Sequence, residues 1–179
     1  MSTYHDNPRS CLPGWAREYT RIVNRFQSVV KAQFHGHTHD DWFLVFHNQT
    51  GSPSSTAFIA PSVTPWYDNN PEYRIYTVEG NQEQDNFGFV MDHDTWSMDL
   101  SELVSENDSP RWKKLYSAID DLGLTGITPA HWKDVLRTAL TDDGLFERMA
   151  RYFHQDREGQ LPDRRRFLCD MIWNKECDL

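Results

Sequence analysis

Apolar side chains recur at Trp15, Tyr19, Ile22, Val23, Phe26, Val29 and Val30, with spacings that trace one stripe of an amphipathic helix. Pro13-Gly14 punctuates its start. Short apolar runs rich in aromatics follow at 42–47, 57–60, 73–78 and 86–91. Each is bounded by Gly, Pro, Asn or Ser, and each predicts a strand between turns. Gly51-Ser52-Pro53-Ser54-Ser55 reads as a loop, and Gly80 to Asn86 as another turn. From Pro110 the period changes. Trp112, Leu115, Tyr116, Ile119 and Leu122 predict a helix. Thr128-Pro129 predicts the N-cap and first turn of a second helix, with Trp132, Val135, Leu136 and Leu140 on its apolar face. Thr141 and the two aspartates after it start a third, which carries Leu145, Phe146, Met149 and Phe153. The expected class is α/β, strand-rich over residues 1–108 and α-helical over 109–179.

The 179 residues suit one domain, or one subdomain with an appendage. With 38% hydrophobic and 13% aromatic residues the chain can bury a sizeable core. A net charge of -9 argues against a nucleic-acid partner, because polyphosphate repels an acidic surface. Arg164-Arg165-Arg166 is too short a basic run to change that and reads as a solvated helix face. No apolar run is long enough for a transmembrane segment.

Candidate chemistry concentrates at Gln33-Phe34-His35-Gly36-His37-Thr38-His39. His37 and His39 place two imidazoles at i and i+2 behind a glycine, and neutral imidazole is a common ligand for zinc. On spacing alone the other reading, a pair of exposed polar loop residues, remains open. Three cysteines make an odd count, and Cys169 also fits a buried thiol on a helix face. Asn48-Gln49-Thr50 and Asn107-Asp108-Ser109 are glycosylation sequons in polar stretches.

Gly36-His37-Thr38-His39 resembles the last metal-binding block of the calcineurin-like metallophosphoesterases. The longer run from Ala32 to Phe46 is similar to acid sphingomyelinases. The likeness continues through Ala57 to Pro65, Asn70 to Tyr76 and Asp92 to Trp96, and upstream through Cys11-Leu12 and Tyr19 to Val23. It implies the C-terminal part of a layered metallophosphoesterase fold over 1–108, with a helical C-terminal subdomain over 109–179. It implies two zinc ions, with His5 and His37 as ligands of one and His39 as ligand of the other. The block around His5 departs from the family pattern, with Tyr4 in place of a glycine. The family's first three metal blocks have no match, so the chain is expected to be the C-terminal third of such an enzyme, with the N-terminal part of the fold and any secretory leader upstream.

The implied activity is zinc-dependent hydrolysis of sphingomyelin to ceramide and phosphocholine, on a sphingolipid substrate at a membrane surface, with residues 1–179 inactive alone. The alternatives are a sphingomyelinase-like phosphodiesterase acting on nucleotides and a non-catalytic truncated product. The resemblance also implies a Cys169–Cys177 disulfide, glycosylation at Asn48 and Asn107, and a secreted or lysosomal location. Trp66 and Tyr67 are candidates for holding a quaternary ammonium, or else they pack their loop. His35 and His93 are assigned to structure, and His47, His131 and His154 to surface or interfacial positions. An unpaired sheet edge is expected, and with it poor solubility or oligomerisation.

Overall fold

Trp42 to His47 is apolar on both of its faces, and a strand of that kind must be covered from both sides. A computed structural model of the chain describes residues 12–66, 69–103, 105, 107, 109–126, 128–154, 161–173, 177 and 179, and shows how the covering is done. Strand β2 (Trp42–His47) pairs antiparallel with β3 (Pro53–Ile59), and β1 (Gln33–His35) adds parallel to the other edge of β3, giving the order β1-β3-β2. The β2–β3 turn is closed by Asn48, whose Oδ1 accepts from the amides of Thr50 and Ser52, each at 3.0 Å. Leu44, Phe46, Ala57 and Ile59 form one face. They pack with Trp173 against Ala16 and Val23 of helix α1 (Pro13–Arg25). Phe43, Val45 and Phe58 form the other face, under the C-terminal helices.

The second sheet is an antiparallel meander of β4 (Glu72–Val78), β5 (Val90–Ser97) and β6 (Lys113–Ser117). Among the described residues four helices follow: α2 (Ala118–Leu122), α3 (Pro129–Ala139), α4 (Asp143–Phe153) and α5 (Arg164–Asp170). Their starts are chemically marked. Thr128 and His131 form a capping box on α3. The Asp142 carboxylate accepts from Leu145 N at 2.9 Å, and the Asp163 carboxylate from Arg166 N at 2.8 Å. Trp132, Leu136, Met149, Phe153 and Leu168 from three of these helices close one core with Phe43, Phe58, Val90 and Tyr116 of both sheets. The outer edge of β2 is covered by the segment after α5: Val45 N donates to Met171 O and Trp173 N donates to Val45 O, each at 2.9 Å. Among the described residues no strand pairs the outer edge of β1.

The α/β class, α3, α4 and the strands at 42–47 and 73–78 match the periodicity. Four expectations do not. The stretch expected to be a helix from Trp112 to Leu122 is β6 followed by the five-residue α2, which Gly123 ends in the left-handed region at φ 66°. An i, i+3, i+4 stripe and a strand alternation coexist in Lys113-Lys114-Leu115-Tyr116-Ser117, and pairing with β5 selects the strand. Pro53, Ser54 and Ser55, read as loop, begin β3. The buried serines fit there because Ser54 Oγ donates to Asn24 Oδ1 at 2.6 Å and Ser55 Oγ accepts from Gln33 Nε2 at 2.9 Å. The run at 86–91 is a turn through Gly88, and the strand starts at Val90 and continues through the polar Asp92 to Ser97. Helix α1 also stops at Arg25, short of the predicted end.

Candidate metal centre

β1 is three residues long and lies parallel to β3, with His35 opposite Ile59 and His35 O accepting from Ala60 N at 2.9 Å. The two chain segments that leave the carboxyl ends of these parallel strands, 36–41 and 60–71, therefore emerge at one end of the sheet. Ligands of open α/β sheets bind at that end. The first segment turns at once. His37 has φ 98° and His39 φ 71°, and among the described residues they are the non-glycine ones with positive φ. Thr38 between them accepts the Asp40 amide on Oγ1 at 3.2 Å. Such backbone is costly for a residue with a Cβ, and it persists where surrounding structure over-determines it. His37 is exposed and His39 half-buried.

These are the right donors for zinc in a turn that presents both imidazoles within three residues, and they fit part of a metal-binding set. Among the described residues no three His, Cys, Asp or Glu side chains converge on one point. His5 lies outside the described residues. His35, in β1, is half-buried, and burial pushes its pKa below the ordinary histidine value. His93 is enclosed by Phe58, Tyr76 and Tyr116 and stacks on Trp132 at 5.8 Å. Burial, then the Arg74 charge, hold it well below its ordinary pKa. His47, expected at a surface or interface, is buried in β2. It ends the otherwise apolar strand, beneath the α1 side chain Asn24, which donates to its carbonyl at 3.0 Å.

The exit of the loop carries a polar cluster that the sequence did not flag. Asp41 and Arg74 form an ion pair with 1% of each side chain exposed. Arg74 Nη2 donates to Asp41 Oδ1 and, at 3.0 Å, to Tyr116 Oη, while its Nε donates to Thr95 Oγ1 at 3.2 Å. Asp41 Oδ2 accepts from Tyr116 Oη at 2.8 Å and from Thr95 Oγ1 at 3.2 Å. Burial alone would lower the Arg74 pKa, but the Asp41 carboxylate beside it prevails, and the guanidinium stays charged well above its ordinary value. Burial raises the Tyr116 phenol well above its ordinary value, so it remains a donor. The readable signals were small: an acid just before Trp42-Phe43-Leu44-Val45-Phe46, and an arginine among the aromatic positions of β4.

Trp66 lies on the 60–71 segment with its side chain exposed, and Tyr67 lies outside the described residues. Cys169 and Cys177 are joined in a disulfide. Asn48 is half-buried in the β2–β3 turn and Asn107 is exposed.

No family model matches the chain. Sphingomyelin phosphodiesterase of Bos taurus is 37% identical over 153 residues, which is 84% of this chain and 24% of the relative. The Homo sapiens protein of the same name is 35% identical over 153 residues, with the same two shares, 84% and 24%. Sphingomyelin phosphodiesterase 1 of Caenorhabditis elegans is 38% identical over 146 residues, 79% of this chain and 25% of the relative. The chain thus spans about a quarter of the length of the curated relatives it matches.

Proposed function

The chain belongs to the acid sphingomyelinase family over the segment it spans, and from that premise we propose that a protein carrying this segment is a zinc-dependent phosphodiesterase that hydrolyses sphingomyelin to ceramide and phosphocholine. The observation that carries the reading is the His37-Thr38-His39 turn at the carboxyl end of β1, two imidazoles held in left-handed backbone where a sheet of this kind binds ligands. His37, together with His5, would hold one ion and His39 the other. Zinc, when bound, supplies Lewis acidity toward the phosphodiester oxygens. The remaining work falls to the chain. The turn fixes the direction of both imidazoles. Trp66, which leaves the same end of the sheet, offers a ring face to the quaternary ammonium of a choline head group.

The donor count supports a second part of the proposal. Three imidazoles for two ions fall short of the three protein ligands a catalytic zinc ordinarily has. Residues 1–179 alone therefore bind zinc weakly and do not turn over substrate. The Cys169–Cys177 disulfide supports an oxidising compartment, hence a secreted or lysosomal location with glycosylation at Asn48 and Asn107. Among the described residues no helix is long and apolar enough to cross a membrane, and the proposed lipid contact is with a membrane surface.

The test uses a full-length protein carrying this segment, assayed on sphingomyelin and on a nucleoside triphosphate. Preferential turnover of sphingomyelin is expected, and preferential turnover of the nucleotide would move the protein to the nucleotide-directed branch. His37→Ala and His39→Ala should each abolish most activity, and unchanged rates would remove them as ligands. Turnover by residues 1–179 alone, lost on the same substitutions, would overturn the inactivity of the isolated segment.

A further inference from the structure

We propose that Asp41 and Arg74 are positioning residues for the His37-Thr38-His39 turn: their ion pair clamps the outgoing end of the turn to the second sheet and so holds both imidazoles in place. The proposal rests on the reading of His37 and His39 as ligands and adds to it the element that sets their geometry.

A turn with two non-glycine residues at positive φ relaxes unless both of its ends are fixed. The incoming end is fixed by the pairing of β1 with β3, and by Gln33, whose side chain accepts from Tyr19 Oη at 2.6 Å and donates to Ser55 Oγ at 2.9 Å. At the outgoing end Asp41 does the equivalent work. Both of its carboxylate oxygens are used, and the three donors come from three different strands: Arg74 from β4, Thr95 from β5 and Tyr116 from β6. One side chain at the exit of the turn is thereby tied to every strand of the second sheet. The Asp40 amide, bonded to Thr38 Oγ1, makes the intervening residues a compact unit that passes a shift at Asp41 on to His39.

The alternative is that the pair serves stability alone. A buried ion pair is a poor device for that, because desolvation of both charges cancels much of their attraction. What it does provide is geometry. The planar guanidinium has donors in a fixed fork, here directed at Asp41, Tyr116 and Thr95 at once. Its carboxylate partner Asp41, two residues after His39, sits where geometry matters for a metal.

The experiment follows two readouts on residues 1–179, neither of which needs turnover: zinc affinity by competition with a chromogenic chelator, and hydrogen exchange of residues 36–41 compared with that of α3 and α4. Arg74→Met is expected to weaken zinc about tenfold, the lower end of what outer-shell substitutions cost, and to speed exchange in 36–41 while α3 and α4 stay protected. Arg74→Lys should restore part of both. Should Arg74→Met not fold, Tyr116→Phe decides, since it keeps the ring and removes only the hydroxyl that donates to Asp41. A several-fold loss of affinity with a locally loosened turn is expected for it. Unchanged affinity and unchanged exchange at 36–41 in these variants would overturn the clamp. So would a loss of affinity that only parallels loosening of α3 and α4. Unchanged zinc affinity in His37→Ala and His39→Ala would instead overturn the ligand reading beneath it.

Discussion

At the scale of single residues, the backbone of His37 and His39 carries a conformational cost. A left-handed residue with a Cβ costs about 1–2 kcal/mol, whereas a glycine there forgoes roughly 0.5–1 kcal/mol in extra chain entropy. The clash is the larger effect. His39→Gly should therefore be more stable than His39→Ala by about 0.5–1 kcal/mol in urea unfolding, although both remove the imidazole. Equal stability would mean that the positive φ of 71° is relaxed in solution. His93 yields a prediction of another kind. It is buried among aromatic rings, with Arg74 the charged group acting on it, and is held neutral with its pKa well below normal. On unfolding it regains a value of about 6.5 and takes up a proton below it. Stability is therefore at its full value above that pH. It falls as pH drops below about 6.5, by up to about 1.4 kcal/mol per unit, until the depressed folded pKa is reached. His93→Phe, which suits the ring-lined site, should flatten this part of the pH profile, and an unaltered slope would exclude His93 as its source.

At the scale of elements, the segment after α5 is what completes the first sheet. Val45 exchanges backbone bonds with Met171 and Trp173, and the fully buried Trp173 ring stacks on Phe46 at 5.0 Å while its Nε1 donates to Thr20 Oγ1 at 2.7 Å. One residue thus joins α1, β2 and the C-terminal segment. Trp173→Ala should cost about 3–5 kcal/mol by cavity formation, and Trp173→Phe nearer 1 kcal/mol, chiefly the lost hydrogen bond. Similar costs for the two would mean that the ring's packing contributes little. This joint shows where sequence legibility ended. Helices α3 and α4 were readable because their apolar stripes, Trp132 to Ala139 and Leu145 to Phe153, coincide with local caps at Thr128 and Asp142. β2 was readable because both faces are apolar. β6 was not, since its strand character comes from a partner 21 residues earlier, Thr95 opposite Tyr116 in a two-sided meander. Pro53 to Ser55 looked like loop because the groups that satisfy the serines, Asn24 and Gln33, are supplied by other elements. The candidate site divides the same way. His37 and His39 stand out as a short motif, whereas Asp41, Arg74, Thr95 and Tyr116 meet only after two sheets have formed.

At the scale of the whole molecule, α1 presents a mismatch between its two sides. Ala16 and Val23 face the sheet, yet Trp15, Ile22 and Phe26 on the neighbouring stripe remain exposed, at 44%, 47% and 44%, and Val29 extends the stripe beyond the helix at 72%. Close by in the fold, β1 leaves an edge without a strand among the described residues, and Phe34 on it is half exposed. A net charge of -9 opposes association of two copies. At physiological salt, however, charges are screened beyond about 8 Å, so repulsion spread over the surface does little at a local apolar contact. Burying this stripe against a second copy removes apolar surface from water, opposed by a loss of overall motion that costs about 4–15 kcal/mol, so association must depend on concentration. Residues 1–179 should therefore shift from monomer toward larger species between dilute and concentrated samples in sizing chromatography with light scattering. Ile22→Glu combined with Phe26→Glu should return the concentrated sample to monomer without loss of the folded far-UV signal, because neither side chain belongs to the α1 face buried against the sheet. If the wild-type chain stays monomeric at every concentration, the exposed stripe is inert. If the double substitution leaves large species in place, the contact lies elsewhere, and the open edge of β1 becomes the segment to block with a proline at Phe34.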